Sequence, residues 1–281
     1  MRRSTTSVVT RPALGAVLGA ELICAVLLTA GPLASSPGPA VAAPAPLTRA
    51  VAAAPAPLTR AVAAAPMSHS VPLPDGRTAV LADLGARDGA ALLDRIAEEL
   101  PGAVAAVTGF WGDRWHREIP IVVAATAGQF ATLAGGGADI AATTTAERIT
   151  FSPAAAAMND ADLRTVLRHE LFHFAARPDT AADAPVWLTE GVADYVGRRA
   201  APVPPRAPGA LPTDAELATP GPGRSAAYDR AWEFASYIAH TYGPDKLRAL
   251  YVAACGPGHP DVATAVRTTL GVDPSTLTAA P

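Results

Sequence analysis

The stretch Val166–Asp179 reads VLRHELFHFAARPD and sets His169 and His173 four residues apart, with Glu170 beside the first. Positions four apart share one helical face, so the two imidazoles turn toward a common point. That is what a tetrahedral zinc ion needs from two nitrogen ligands. Glu170 is rotated by about 100° from His169, so its carboxylate can reach a water on the ion without filling a ligand position. Amphipathic helices also carry surface histidines and glutamates. A third ligand, and a group to hold the rings, must therefore decide what this HExxH spacing means.

Two carboxylates compete for the third position. Asp179 falls where an HExxHxxGxxH pattern has its last histidine, but that pattern needs glycine at the position of Ala176 and a downstream methionine turn. No methionine follows Met158. Glu190, in PVWLTEGVADY, is the better candidate. Asp183 and Pro185 mark a helix start, and the short connection 177–184 predicts antiparallel neighbouring helices, which brings Glu190 back across from His173. Asp194 follows Glu190 by four residues on the same face. It can accept a hydrogen bond from the outer nitrogen of a zinc-ligating histidine and so fix its tautomer. Glu190 and Asp194 as solvated surface charges are the alternative.

On His169, Glu170, His173 and the segment WLTEGVADY from Trp187 to Tyr195, the chain resembles the gluzincin zinc metallopeptidases, most closely their peptidase-MA-like group. The similarity runs from about IPIVVAAT at Ile119 through GPDKLRALY at Tyr251. The resemblance implies a small N-terminal sheet, an active-site helix below it and a helical C-terminal half. It implies one Zn2+ held by His169, His173 and Glu190, with its fourth position kept for water, and Glu170 as general base in peptide-bond hydrolysis. Tyr228 in YDRA is similar to the tyrosine that donates to the oxyanion in aminopeptidases of this clan, although Asp229 and Ala231 depart from that pattern's Glu and Gly. The other reading of Tyr228 is a core or surface tyrosine of a helix over 226–242. The clan's amine-capturing G-x-M-E-N stretch is missing, and GGGAD at Gly135–Asp139 is a loop, so an endopeptidase is expected. The expected substrate is a peptide or protein, and RITFS is the expected edge for strand pairing. A secreted or membrane-tethered zinc-binding protein with little or no turnover is the rival, because an intact site does not guarantee a substrate.

These residues need elements to hold them. Asn159 or Asp160 caps the helix of the first motif, Asp162 lies in its first turn, and Pro178 stands just past its end. A second helix is expected from Pro185 to about Arg199. Upstream, GARDGAALLDRIAEEL has helical spacing up to Pro101, followed by a second helical stretch. The β-branched run IPIVVAAT at Ile119–Thr126 and RITFSP at Arg148–Pro153 predict strands. Beyond Asn159 the chain favours helix, apart from a Pro/Gly-rich loop over Ala201–Gly223. The fold class expected is α+β, a small mixed N-terminal sheet packed on the HExxH helix and a mainly helical C-terminal half. His240, in a helical stretch, and His116, in a Trp-flanked segment, read as structural histidines rather than ligands, and His69 and His259, in expected loops, carry no case.

With 281 residues, half of them hydrophobic, the chain can bury a sizeable core. A formal net charge of -3 gives no electrostatic argument for nucleic acid or an anionic membrane. Residues 1–42 read as an export signal: Arg2, Arg3 and Arg11, a mostly apolar stretch from Leu14 to Leu33, and the small residues of AVAAP before a cleavage near Ala42. Glu21 splits the apolar run, against a retained anchor, and a membrane partner is expected only if this segment stays attached. Residues 43–70 read as an Ala/Pro-rich spacer, with PAPLTRAVAAA repeated letter for letter, leaving 71–281 as the zinc metallopeptidase-like domain. The expected location is extracellular. Two cysteines, Cys24 within the signal and Cys255, give no disulfide framework.

Overall fold

The computed structural model describes residues 67–278 apart from 136, 138 and 199–208. The expected signal, and the expected spacer as far as residue 66, lie outside the described residues. In chain order the elements are β1 (Met67–Pro72), β2 (Thr78–Asp83), α1 (Gly89–Trp111), β3 (Glu118–Val123), α2 (Ala127–Ala134), β4 (Ala142–Thr144), β5 (Ile149–Phe151), α3 (Asp160–Ala176), α4 (Val186–Gly197), α5 (Asp214–Ala218), α6 (Pro222–Tyr242), α7 (Pro244–Cys255), α8 (Val262–Leu270) and α9 (Ser275–Thr278). The architecture is α+β, a small mixed sheet followed by helices.

The five strands run in the order β1-β2-β3-β5-β4, with β2, β3 and β5 parallel and β1 and β4 antiparallel at the two ends. Parallel neighbours need a crossover, which α1 supplies between β2 and β3. Ile119, Ile121 and Val123 of β3 alternate inward, while all of β5 is buried because it is paired on both sides. The expected pairing edge at RITFS is thus an interior strand, and the edge on this side of the sheet is β4. β1 starts at Met67, ahead of the expected domain boundary at Val71. Its polar MSHSVP lacks an apolar alternation, and its pairing with β2 is what makes it a strand.

Helix α1 continues through Pro101 instead of breaking there. An interior proline costs roughly 3 kcal/mol. Leu92, Leu93, Ile96, Leu100, Val104 and Val107 are each buried, at about 1.5–3 kcal/mol apiece, while Pro101 faces solvent. Burial therefore outweighs the missing hydrogen bond. The expected loop before α6 contains α5, held by a capping box between Thr213 and Glu216. Helix α6 begins at Pro222, whose fixed φ suits a first turn.

Helices α3 and α4 run through the middle of the molecule. Asn159 caps α3, its side chain accepting from the Asp162 amide at 2.9 Å, and Asp160 and Asp162 lie at the positive end of the helix dipole. Every residue of α3 from His169 to Ala176 is buried, as is every residue of α4 from Trp187 to Asp194. Helix α3 packs on α1, α4, β4 and β5, and α4 packs on α3, α6 and α7. The rings of Trp111, Phe172 and Tyr251 meet edge to face with centroids 5.3–5.6 Å apart, locking α1, α3 and α7 together. Two glycines allow close helix contacts. A Cβ on Gly191 would overlap the carbonyl of Ala231 on α6, and one on Gly197 would lie 2.9 Å from the Thr165 carbonyl on α3. Cys255 is a buried free thiol, pushed up to about 12 by burial.

Candidate metal centre

Helices α3 and α4 bring His169, His173 and Glu190 together, and each offers a donor atom within 4.8 Å of the others. The residues are 2, 4 and 0% exposed. Charged groups that deep must be paired, or must ligate something, to offset their desolvation. Nε2 of His169 lies 3.0 Å from Nε2 of His173, 3.3 Å from Glu190 Oε2, and Nε2 of His173 lies 3.5 Å from Glu190 Oε1. A tetrahedral zinc ion with bonds of about 2.0–2.2 Å has ligand-to-ligand edges of roughly 3.3–3.6 Å. The two nitrogen–oxygen separations fall in that range, and the nitrogen–nitrogen one is slightly inside it.

Asp194 supports this geometry from outside. Its Oδ1 is 2.9 Å from Nδ1 of His169, and a carboxylate only accepts, so the ring proton belongs on Nδ1. That leaves the lone pair of Nε2 aimed at Glu190 and His173. Neither Glu190 oxygen has a hydrogen-bond partner, although both are fully buried. Three buried residues thus turn one potential donor atom each toward a common point, a group that could hold a metal ion. The electrostatics agree. Burial pushes the Glu190 carboxyl up, but the attraction of His173 and His169 outweighs it and holds the group at about 2. Burial disfavours charge on His169, yet Asp194 and Glu190 raise its affinity for a proton well above the ordinary imidazole range. Surroundings that favour positive charge at this point suit a metal ion as well as a proton.

Glu170 stands next to the three donors and outside their set. Its Oε2 accepts from Thr144 Oγ1 at 2.7 Å, and its Oε1 is buried with no partner. Burial raises its carboxyl, with His169 and His173 pulling the other way. Thr144 is on the edge strand β4. Asp179, the rejected ligand candidate, is exposed in the 3-10 turn that follows α3. Tyr228 is 3% exposed, within the hydrophobic core on α6, one turn before the Ala231 that touches Gly191.

Two contributors escape a reading of the sequence by motif. Thr144 reaches Glu170 from 26 residues upstream in the chain, and nothing in the strand marks it. Arg198, which donates to Asp194 Oδ2 at 2.6 Å, did leave a signal. It continues the four-residue spacing Glu190, Asp194, Arg198 along α4 and its C-terminal cap. No family model matches the chain, and no curated protein matches it.

Proposed function

We propose that the protein is an exported zinc-dependent peptidase, similar to the gluzincins, with His169, His173 and Glu190 as metal ligands and Glu170 as general base. The observation that carries this reading is the buried His-His-Glu donor set, with both Glu190 oxygens lacking a hydrogen-bond partner. Zinc held there would supply Lewis-acid polarisation of a carbonyl and a lowered pKa for water. Imidazole nitrogens with one carboxylate suit zinc better than magnesium or calcium, which prefer oxygen ligands.

The chain's own residues account for the rest. Asp194 orients His169 through Nδ1, so the ring presents Nε2. Glu170 has Oε1 available to take a proton from the attacking water and return it to the leaving amine nitrogen. Thr144 holds Oε2, which fixes the direction in which Oε1 faces. Tyr228 is the proposed donor to the oxyanion, and the buried position of α6 against α4 is compatible with that role. The outer edge of β4 is the proposed place for an extended substrate strand to pair. Among the described residues no helix is long and apolar enough to cross a membrane.

The test is metal analysis of the purified protein, combined with cleavage of an unfolded general protein substrate by wild type and Glu170→Gln. Retained zinc with abolished cleavage in the variant supports the peptidase. Zinc in both, with cleavage by neither, supports a zinc-binding protein without turnover. No zinc in the wild type refutes the metal centre.

A further inference from the structure

We propose that Arg198 is a positioning residue for the metal-ligating face of His169, acting through Asp194. The inference rests on the metal-centre reading of the same residues and extends it one contact further out. Asp194 is 1% exposed and uses both carboxylate oxygens, Oδ1 toward His169 Nδ1 at 2.9 Å and Oδ2 toward Arg198 Nη2 at 2.6 Å. A carboxylate held through one oxygen can rotate about its Cβ–Cγ bond. Held through both, it has one plane, and the ring it braces has one orientation.

Arg198 is itself fixed from a third helix. Its Nη1 donates to Asp229 Oδ1 at 2.7 Å, and its guanidinium carbon lies 5.1 Å from the centre of the Trp232 ring. The contacts thus run His169, Asp194, Arg198, Asp229 and join α3, α4 and α6. A planar guanidinium can serve two carboxylates at once in a fixed fork, which a lysine ammonium cannot do with the same definition. Gly197 makes the arrangement possible, because a Cβ there would crowd the Thr165 carbonyl and hold the end of α4 away from His169. Arg198 also balances the charge of Asp194 in a region that already contains Glu170 and Glu190, both fully buried.

The experiment compares zinc affinity, by competition with a chromophoric chelator, for wild type, Arg198→Met, Arg198→Lys, Asp194→Ala and the Asp194→Ala/Arg198→Met double variant. Loss of an outer supporting group typically costs 10- to 100-fold in metal affinity. Arg198→Met is expected to weaken zinc binding about tenfold or more, and Arg198→Lys to recover part of it. The double variant should bind no more weakly than Asp194→Ala alone, because Arg198 has nothing to act through once the Asp194 carboxylate is removed. Unchanged affinity in Arg198→Met, or losses that simply multiply in the double variant, overturns the proposal. Nitrogen NMR of His169 in the metal-free protein, recorded at a pH alkaline enough for the ring to be neutral, gives a readout independent of zinc. A single tautomer protonated at Nδ1 in wild type and tautomer exchange in Arg198→Met support the proposal; the same spectrum in both overturns it. If wild type binds no zinc, the metal-centre reading fails and the tautomer measurement alone decides the role of Arg198.

Discussion

The hydroxyl of Thr144 faces two acceptors of one residue, Glu170 Oε2 at 2.7 Å and the Glu170 main-chain carbonyl at 3.0 Å. Edge strand β4 therefore holds both the side chain and the backbone of Glu170. Thr144→Val keeps the shape and removes the donor. Cleavage is expected to fall about tenfold, the worth of one aligning hydrogen bond of about 1.4 kcal/mol, with zinc content unchanged and with Thr144→Ser close to wild type. Equal turnover in Thr144→Val and wild type would remove this role.

At the proposed centre, zinc should stabilise the fold measurably. At a free concentration 100 times the dissociation constant, the ion adds about 2.7 kcal/mol, or roughly 5 to 11 °C in Tm for a domain of this size. Calorimetry with and without chelator checks this, and Glu190→Gln should abolish most of the difference.

Two glycine-to-alanine changes in helices should have opposite signs. Gly191→Ala would force α4 off α6 against the Ala231 carbonyl, at a cost of about 1–3 kcal/mol. Gly109→Ala on the exposed side of α1 meets nothing within 4 Å and should gain about 0.5–1 kcal/mol from helix propensity. Urea denaturation of the two variants beside wild type measures both.

The ion pair between Arg164 and Glu99, with contacts of 2.6 and 2.7 Å, holds the Glu99 carboxyl below its ordinary range, mainly through the hydrogen bond from Arg164. A carboxyl depressed in the folded state stabilises above its unfolded pKa, and that contribution disappears as pH falls through the folded value. The stability gap between wild type and Glu99→Gln should therefore be full near neutral pH and close in acid. Denaturant midpoints across that span test it, and a gap that widens in acid would contradict the assignment.

Cys255 should resist alkylation in the native state, since it is buried and its thiol is raised to about 12. Iodoacetamide labelling of the peptide containing Cys255, followed by mass spectrometry, should track unfolding by denaturant.

The convergence of His169, His173 and Glu190, and the contact of Asp194 with His169, were legible because each signal was local. His169 and His173 share a helical face by spacing, the short loop forces α4 back along α3, and Asp194 follows Glu190 at helical spacing. Helix α1 through Pro101 was not legible, because its continuity depends on side chains buried against α3, remote in sequence. Strands β1 and β4 were missed for a similar reason. MSHSVP and ATT contain too little apolar alternation, and only pairing with β2 and β5 makes them strands. The pairing edge was misplaced because sequence shows which residues favour a strand but not how many neighbours it has.

His169, His173 and Glu190 sit on consecutive helices joined by one short connection, whereas Thr144 arrives from a strand on the far side of β5 in the chain. Closing that short connection carries little entropic cost, so the three donors can converge before the sheet has found its order. Ion capture at the proposed centre and alignment of Glu170 then become separable folding events, and a chain could seize a metal while the proposed general base still awaits β4.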